Sequence, residues 1–129
     1  MTTREPISTD AAPAAAGPYS QAIRAGDLVF TAGQLGIDPA TGALVGNDVA
    51  SQARQALANL AAILEAAGSG LDRLVKVTVF LAEIGDWPAV NAVYGRLGPE
   101  PYPARSAFAV KALPLGARIE IEAVAATAG

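Results

Sequence analysis

Arg118-Ile119-Glu120-Ile121-Glu122-Ala123-Val124-Ala125-Ala126 is the stretch that decides the fold. Ile119, Ile121, Ala123 and Ala125 point one way while Arg118, Glu120 and Glu122 point the other. A period of two is the mark of a strand with one face on a core. A second run of the same kind lies upstream, where Val75, Val77, Val79 and Leu81 alternate with Lys76, Thr78 and Phe80. The partner for these apolar faces comes from helices. From Val49, the positions Ala53, Ala56, Leu57, Leu60, Leu64 and Ala67 keep helical spacing; Asp48 fits an N-cap and Gly68 a C-terminal stop. Asp86 fits the cap of a second, shorter helix, with Pro88 tolerated in the first turn because the N–H groups there lack helical partners. Its stripe is Trp87, Val90, Tyr94 and Leu97, and Gly98-Pro99 ends it.

Working outward, Glu5 to Ser8 fits a short edge strand in a segment, residues 1–16, that is otherwise loop. Tyr19 to Ala25 and Leu28 to Ala32 flank the turn signal Gly26-Asp27 and read as a hairpin. Asp38-Pro39-Ala40-Thr41-Gly42 reads as a loop, and Ser106 to Val110, after the proline-rich Pro99 to Pro103, as extended. The order is hairpin, helix, strand, helix, strand, strand. One α+β domain over residues 1–129 results, with two helices on one face of a mixed sheet.

The 129 residues suffice to bury a core. Hydrophobic residues are 52% and charged ones 16%, leaving more apolar surface than a lone small domain hides, so a homo-oligomer is expected. The net charge is −3 and the nine Lys and Arg are scattered, which argues against nucleic acid as the main partner. With no cysteine and no histidine, thiolate nucleophiles, Cys-based metal sites and a Ser-His-Asp triad are excluded. No metal or cofactor is expected. No stretch has the length of a spanning helix and no signal pattern opens the chain, so a cytoplasmic protein without membrane contact is expected.

Three places hold groups fit for chemistry. Arg105 stands just after a rigid proline loop, and a guanidinium grips a carboxylate bidentately. On spacing alone, a surface arginine paired with Glu100 or Glu120 is the commoner outcome. Glu120 can trade protons, or be a structural carboxylate that, with Glu122, answers Arg118, Lys76 or Arg73 across strands. Tyr19, after the Gly17-Pro18 corner, either presents its hydroxyl to a cleft or simply packs. Asn91, beside the second helix's stripe, meets a ligand or solvent.

Read in order, several motifs resemble the RidA/YjgF family. They are Gly17-Pro18-Tyr19-Ser20-Gln21-Ala22, Thr31-Ala32-Gly33-Gln34, the run from Gln52 to Asn59, Val75 to Leu81, Val90-Asn91-Ala92-Val93-Tyr94, Pro103-Ala104-Arg105-Ser106 and Leu113 to Ala123. The resemblance covers nearly the whole chain. It implies a chorismate-mutase-like fold assembled as a trimer, with a cleft at each subunit interface. It also implies hydrolysis of enamine or imine intermediates, of the 2-iminopropanoate and 2-iminobutanoate kind, to 2-oxo acids and ammonia. On the same resemblance Arg105 binds the substrate carboxylate, Glu120 positions water and shuttles protons, Tyr19 and Asn91 line the pocket, and the backbone around Gly33 offers hydrogen bonds. The chain departs from many family deaminases in having Ala32 for a serine and Ala107 for a cysteine. Those two changes keep an alternative open, a 2-oxo acid-binding or regulatory module with the same cleft and no turnover.

Overall fold

A computed structural model describes residues 3–96 and 100–128. Strands β1 (Arg4–Ile7), β2 (Ala22–Ala25), β3 (Leu28–Thr31) and β4 (Gln34–Leu35) precede helix α1 (Val49–Ala66). Strand β5 (Leu74–Leu81), helix α2 (Trp87–Tyr94), β6 (Ala104–Ala109) and β7 (Ile119–Ala126) complete the chain. The sheet runs β1-β2-β3-β7-β5-β6. All pairings are antiparallel except β5 with β6, which α2 links by a crossover. The mixed sheet with helices on one face is therefore as the periodicity predicts.

The alternation of β7 explains its central place. Ile119, Ile121, Ala123 and Ala125 are buried; the first three meet Val77, Val79 and Leu81 of β5 and Ala53, Ala56, Leu57 and Leu60 of α1, and Ala125 joins Ile63 and Leu64 in a second cluster. Ile63 and Leu64 extend the core toward Val29 and Ile7. Helix α1 is bounded as its sequence indicates. Asp48 Oδ2 accepts from the Ser51 N–H at 2.9 Å. At the other end Gly68 takes a φ of 79°, and its N–H and that of Ser69 close onto the Glu65 and Leu64 carbonyls.

Some elements differ from the sequence expectation. Asp86 does not cap α2; both its oxygens lie 2.8–2.9 Å from Arg118 Nη2, and this charge-assisted bond outweighs the weaker one to a backbone N–H. β2 begins only at Ala22, with Tyr19 in a bend whose N–H returns to the Gly17 carbonyl. β6 starts two residues earlier than the expected Ser106, so Arg105 lies inside the strand. The expected helix end at Leu97 and Gly98-Pro99 lies outside the described residues.

The largest difference is β4. Its partner is also β7, with Gln34 opposite Ile121 and Leu35 opposite Glu120, while β3 pairs further along at Val124–Ala126. β3 and β4 thus form one line along β7, interrupted at Ala32-Gly33. Two buried amides of α1 fix the segment around it. Asn59 Nδ2 donates to the Leu35 and Ile37 carbonyls at 3.1 and 2.9 Å. Gln52 is 1% exposed; its Nε2 donates to the Gly46 carbonyl and its Oε1 accepts from the Arg118 N–H, each at 2.8 Å. Gln52→Leu strands both backbone groups and is expected to cost on the order of 3 kcal/mol of stability, read as a lower urea midpoint at unchanged slope. A change under about 0.5 kcal/mol means water replaces the amide at no cost.

Candidate functional site

Strand register decides which face each candidate side chain occupies. Arg105 pairs with Val77, and Val77 with Ala123; all three sit on the helix side of the sheet. There the Arg105 guanidinium carbon lies 4.5 Å from the ring centroid of Trp87 and 4.6 Å from that of Tyr94. Arg105 Nη1 donates to Asn91 Oδ1 at 3.2 Å. Trp87, Asn91 and Tyr94 follow one another at i, i+4 and i+7, so one face of α2 meets this single strand residue. A cavity of about 380 Å³ opens beside them, lined by Asn91, Tyr94, Gly95, Tyr102, Pro103 and Arg105.

Glu120 is on the other face. It alternates with the buried Ile119 and Ile121 and pairs with Phe80, among residues that α1 and α2 leave uncovered. Its carboxylate rests against Gly33: a Cβ at that position would come within 2.8 Å of Glu120 Cδ. A side chain at this position would push the carboxylate aside, and the interruption between β3 and β4 is what brings Gly33 there. A second cavity of about 310 Å³ is walled by Tyr19, Gly33, Glu120, Pro114 and Leu115 among others. Burial holds the Glu120 carboxyl above its ordinary pKa, and the neighbouring charge of Glu122 adds to the rise.

The five sequence candidates therefore form two groups within one chain. Arg105 and Asn91 share one cavity; Tyr19, Gly33 and Glu120 share the other. The sheet separates them. Among the described residues the sole ion pair is Arg118–Asp86, so neither Glu100 nor Glu120 engages Arg105, and no lysine or arginine bridges Glu120 or Glu122. Tyr19 is 54% exposed rather than packed, and its hydroxyl accepts from the Ala16 N–H at 3.2 Å.

Sequence reasoning missed four contributors. Trp87 and Tyr94 read only as a core stripe, although their spacing around Asn91 was the available signal. Gln21, 4% exposed, accepts from the Thr9 N–H and donates to the Thr9 and Pro13 carbonyls, fixing the loop that brings Tyr19 to its cavity. Leu115, 67% exposed at a φ of 61°, forms part of the wall near Glu120. Nothing in its local sequence announced the left-handed backbone.

Residues 9–127 match the family model described as Endoribonuclease L-PSP. A RutC family protein, y4sK, from Sinorhizobium fredii is 56% identical over 120 residues, covering 93% of this chain and 95% of that one. The chain belongs to the RidA/YjgF family. Its relatives include a protein of Bos taurus named 2-iminobutanoate/2-iminopropanoate deaminase, 52% identical over 122 residues, which span 95% of this chain and 89% of that one. The crystal structure of RidA from an Antarctic Psychrobacter superposes with a TM-score of 0.92 at 46% identity, over 95% of this chain and 99% of that one. The RidA-type fold thus holds along essentially the whole chain. Among the described residues no helix is long and apolar enough to cross a membrane, and no group of three or more His, Cys, Asp or Glu could hold a metal ion.

Proposed function

We propose that this protein hydrolyses small imines bearing a carboxylate, of the 2-iminopropanoate and 2-iminobutanoate kind, to 2-oxo acids and ammonia. The observation that carries this is the division of the candidate groups: an anion-ready arginine and a proton-ready carboxylate, each at an open cavity, on opposite faces of one sheet. Such halves become one site when copies of the chain associate. The uncovered sheet face favours association, since Leu28, Phe30 and Phe108 stand 37%, 44% and 45% exposed on it. A homotrimer, as the family likeness implies, closes the set by symmetry.

In the joined site Arg105 of one copy binds the carboxylate and Asn91 keeps the guanidinium turned toward it. Glu120 of a neighbour holds a water at the imine carbon. The water's oxygen bonds to that carbon while Glu120 takes a proton. Glu120 then returns that proton to nitrogen, giving a tetrahedral carbinol-ammonium; the C–N bond breaks as Glu120 takes the remaining hydroxyl proton and the carbonyl forms, and ammonia leaves. An iminium carbon is already electrophilic, so a held water and one proton-transfer group suffice. The deaminase names of relatives about half identical to this chain support the same chemistry.

The test is loss of 2-iminobutanoate generated in the cuvette by an amino-acid oxidase, with ammonia and 2-oxobutanoate as products. Acceleration proportional to protein concentration is expected. A rate equal to the spontaneous one, together with saturable 2-oxobutanoate binding by calorimetry, would favour a binding module instead.

A further inference from the structure

We infer that Trp87 and Tyr94 are positioning residues for Arg105, holding the guanidinium over two ring faces so that a carboxylate meets its in-plane N–H edge. This rests on the assignment of Arg105 as carboxylate receptor and goes on to say how Arg105 is kept ready.

An arginine side chain has many rotamers, and freezing them upon binding subtracts from affinity. Here little remains to freeze. The guanidinium carbon is 4.5 Å from one ring centroid and 4.6 Å from the other. The rings themselves are anchored, because Tyr94 is 4% exposed and Trp87 packs against the main core. Asn91, between them on the same helix face, takes one N–H of Nη1 at 3.2 Å. A guanidinium has five donors, and among the described residues the bond to Asn91 is the one recorded for this side chain, which leaves donors for an incoming anion.

The holding groups also matter by what they are not. A carboxylate partner would grip Arg105 as firmly as the substrate does and would have to be displaced. A ring face attracts the cation through its quadrupole and leaves the hydrogen-bonding edge open. Asn91 adds direction without charge. Cation–π contact with one amide thus fixes the fork while leaving its charge uncompensated.

The test uses the full-length protein and 2-oxobutanoate as probe, followed by calorimetry and by tryptophan emission. Trp87 is the only tryptophan, so its emission reports directly on the guanidinium's neighbour. In the wild type, emission is expected to change in step with calorimetric saturation. Trp87→Leu and Tyr94→Leu are each expected to weaken binding about five- to tenfold, and to raise KM for the imine more than they lower kcat. Trp87→Phe and Tyr94→Phe keep a ring face and should stay within about threefold of wild type. Folded leucine variants that bind like wild type overturn the inference and leave the carboxylate assignment standing. If a leucine variant does not fold, the wild-type titration decides, and saturation without any change in emission overturns it. Absence of binding by the wild type removes the carboxylate assignment, and this inference with it.

Discussion

Arg105→Ala is expected to lower kcat/KM for 2-iminobutanoate by on the order of 10²- to 10³-fold, with most of the loss in KM. The substrate carboxylate does not change charge as water adds to the imine carbon. Its contact with the guanidinium therefore stabilises ground and transition states alike, and losing such a contact weakens binding more than turnover. The size follows from truncating one partner of a desolvated, hydrogen-bonded charge pair, which costs about 2 to 5 kcal/mol. Arg105→Lys should recover only part of it. An ammonium is a point charge without the planar fork, and it draws less from two ring faces shaped around a guanidinium. Arg105 is exposed at the edge strand and outside the buried core, so melting behaviour should change little. An alanine variant with KM within a few-fold of wild type would place the carboxylate elsewhere.

What the sequence disclosed and what it withheld differ in physical kind. Period-two and helical patterns record burial, and burial is decided residue by residue. That is why β5, β7 and α1 were legible with nearly correct ends. The Asp48 cap and the Gly68 stop were legible for a similar reason: each is a local backbone requirement met by a residue within a few positions. β4 was not legible. Two residues, Gln34 and Leu35, are too few to show a period, and they are strand only because β7 lies alongside and Asn59 ties down the carbonyls of Leu35 and Ile37. Asp86 failed as a cap for the opposite reason, since its partner Arg118 is 32 residues away.

The site shows the same divide. Individual side chains could be singled out by chemical type, and the ordered motifs added the family's arrangement. Their distribution over two sheet faces depends on the parallel register of β5 with β6 and the antiparallel register of β5 with β7. No local signal encodes register between strands brought together by a crossover. The same register puts Arg105 onto the α2 face, so the role of Trp87 and Tyr94 came into view only with the fold.

Glu120→Gln is expected to reduce kcat by on the order of 10²- to 10⁴-fold while leaving KM nearly unchanged, because an amide can hold water but cannot take its proton. The pH dependence supplies an independent reading. Burial, then the charge of Glu122, raises the Glu120 carboxyl above the ordinary glutamate value. An acid with a raised pKa keeps its proton to higher pH, so the base form is lost on the acid side of that raised value. Wild-type kcat should therefore climb with pH through a limb lying above the usual carboxylate range, and the glutamine variant should lack that limb when compared on the same imine. Since Arg105 and Glu120 occupy opposite sheet faces, one chain cannot supply both to a single small substrate. Arg105→Ala and Glu120→Gln chains, each lowered about a hundredfold or more in kcat/KM alone, should regain activity at subsaturating imine when unfolded and refolded together. In a random equal mixture roughly a quarter of the interfaces join an intact arginine to an intact glutamate, so about that share of wild-type activity is expected. Recovery of none, in mixed assemblies confirmed by mass, would mean that Arg105 and Glu120 do not serve the same substrate, and the shared-site mechanism would fall.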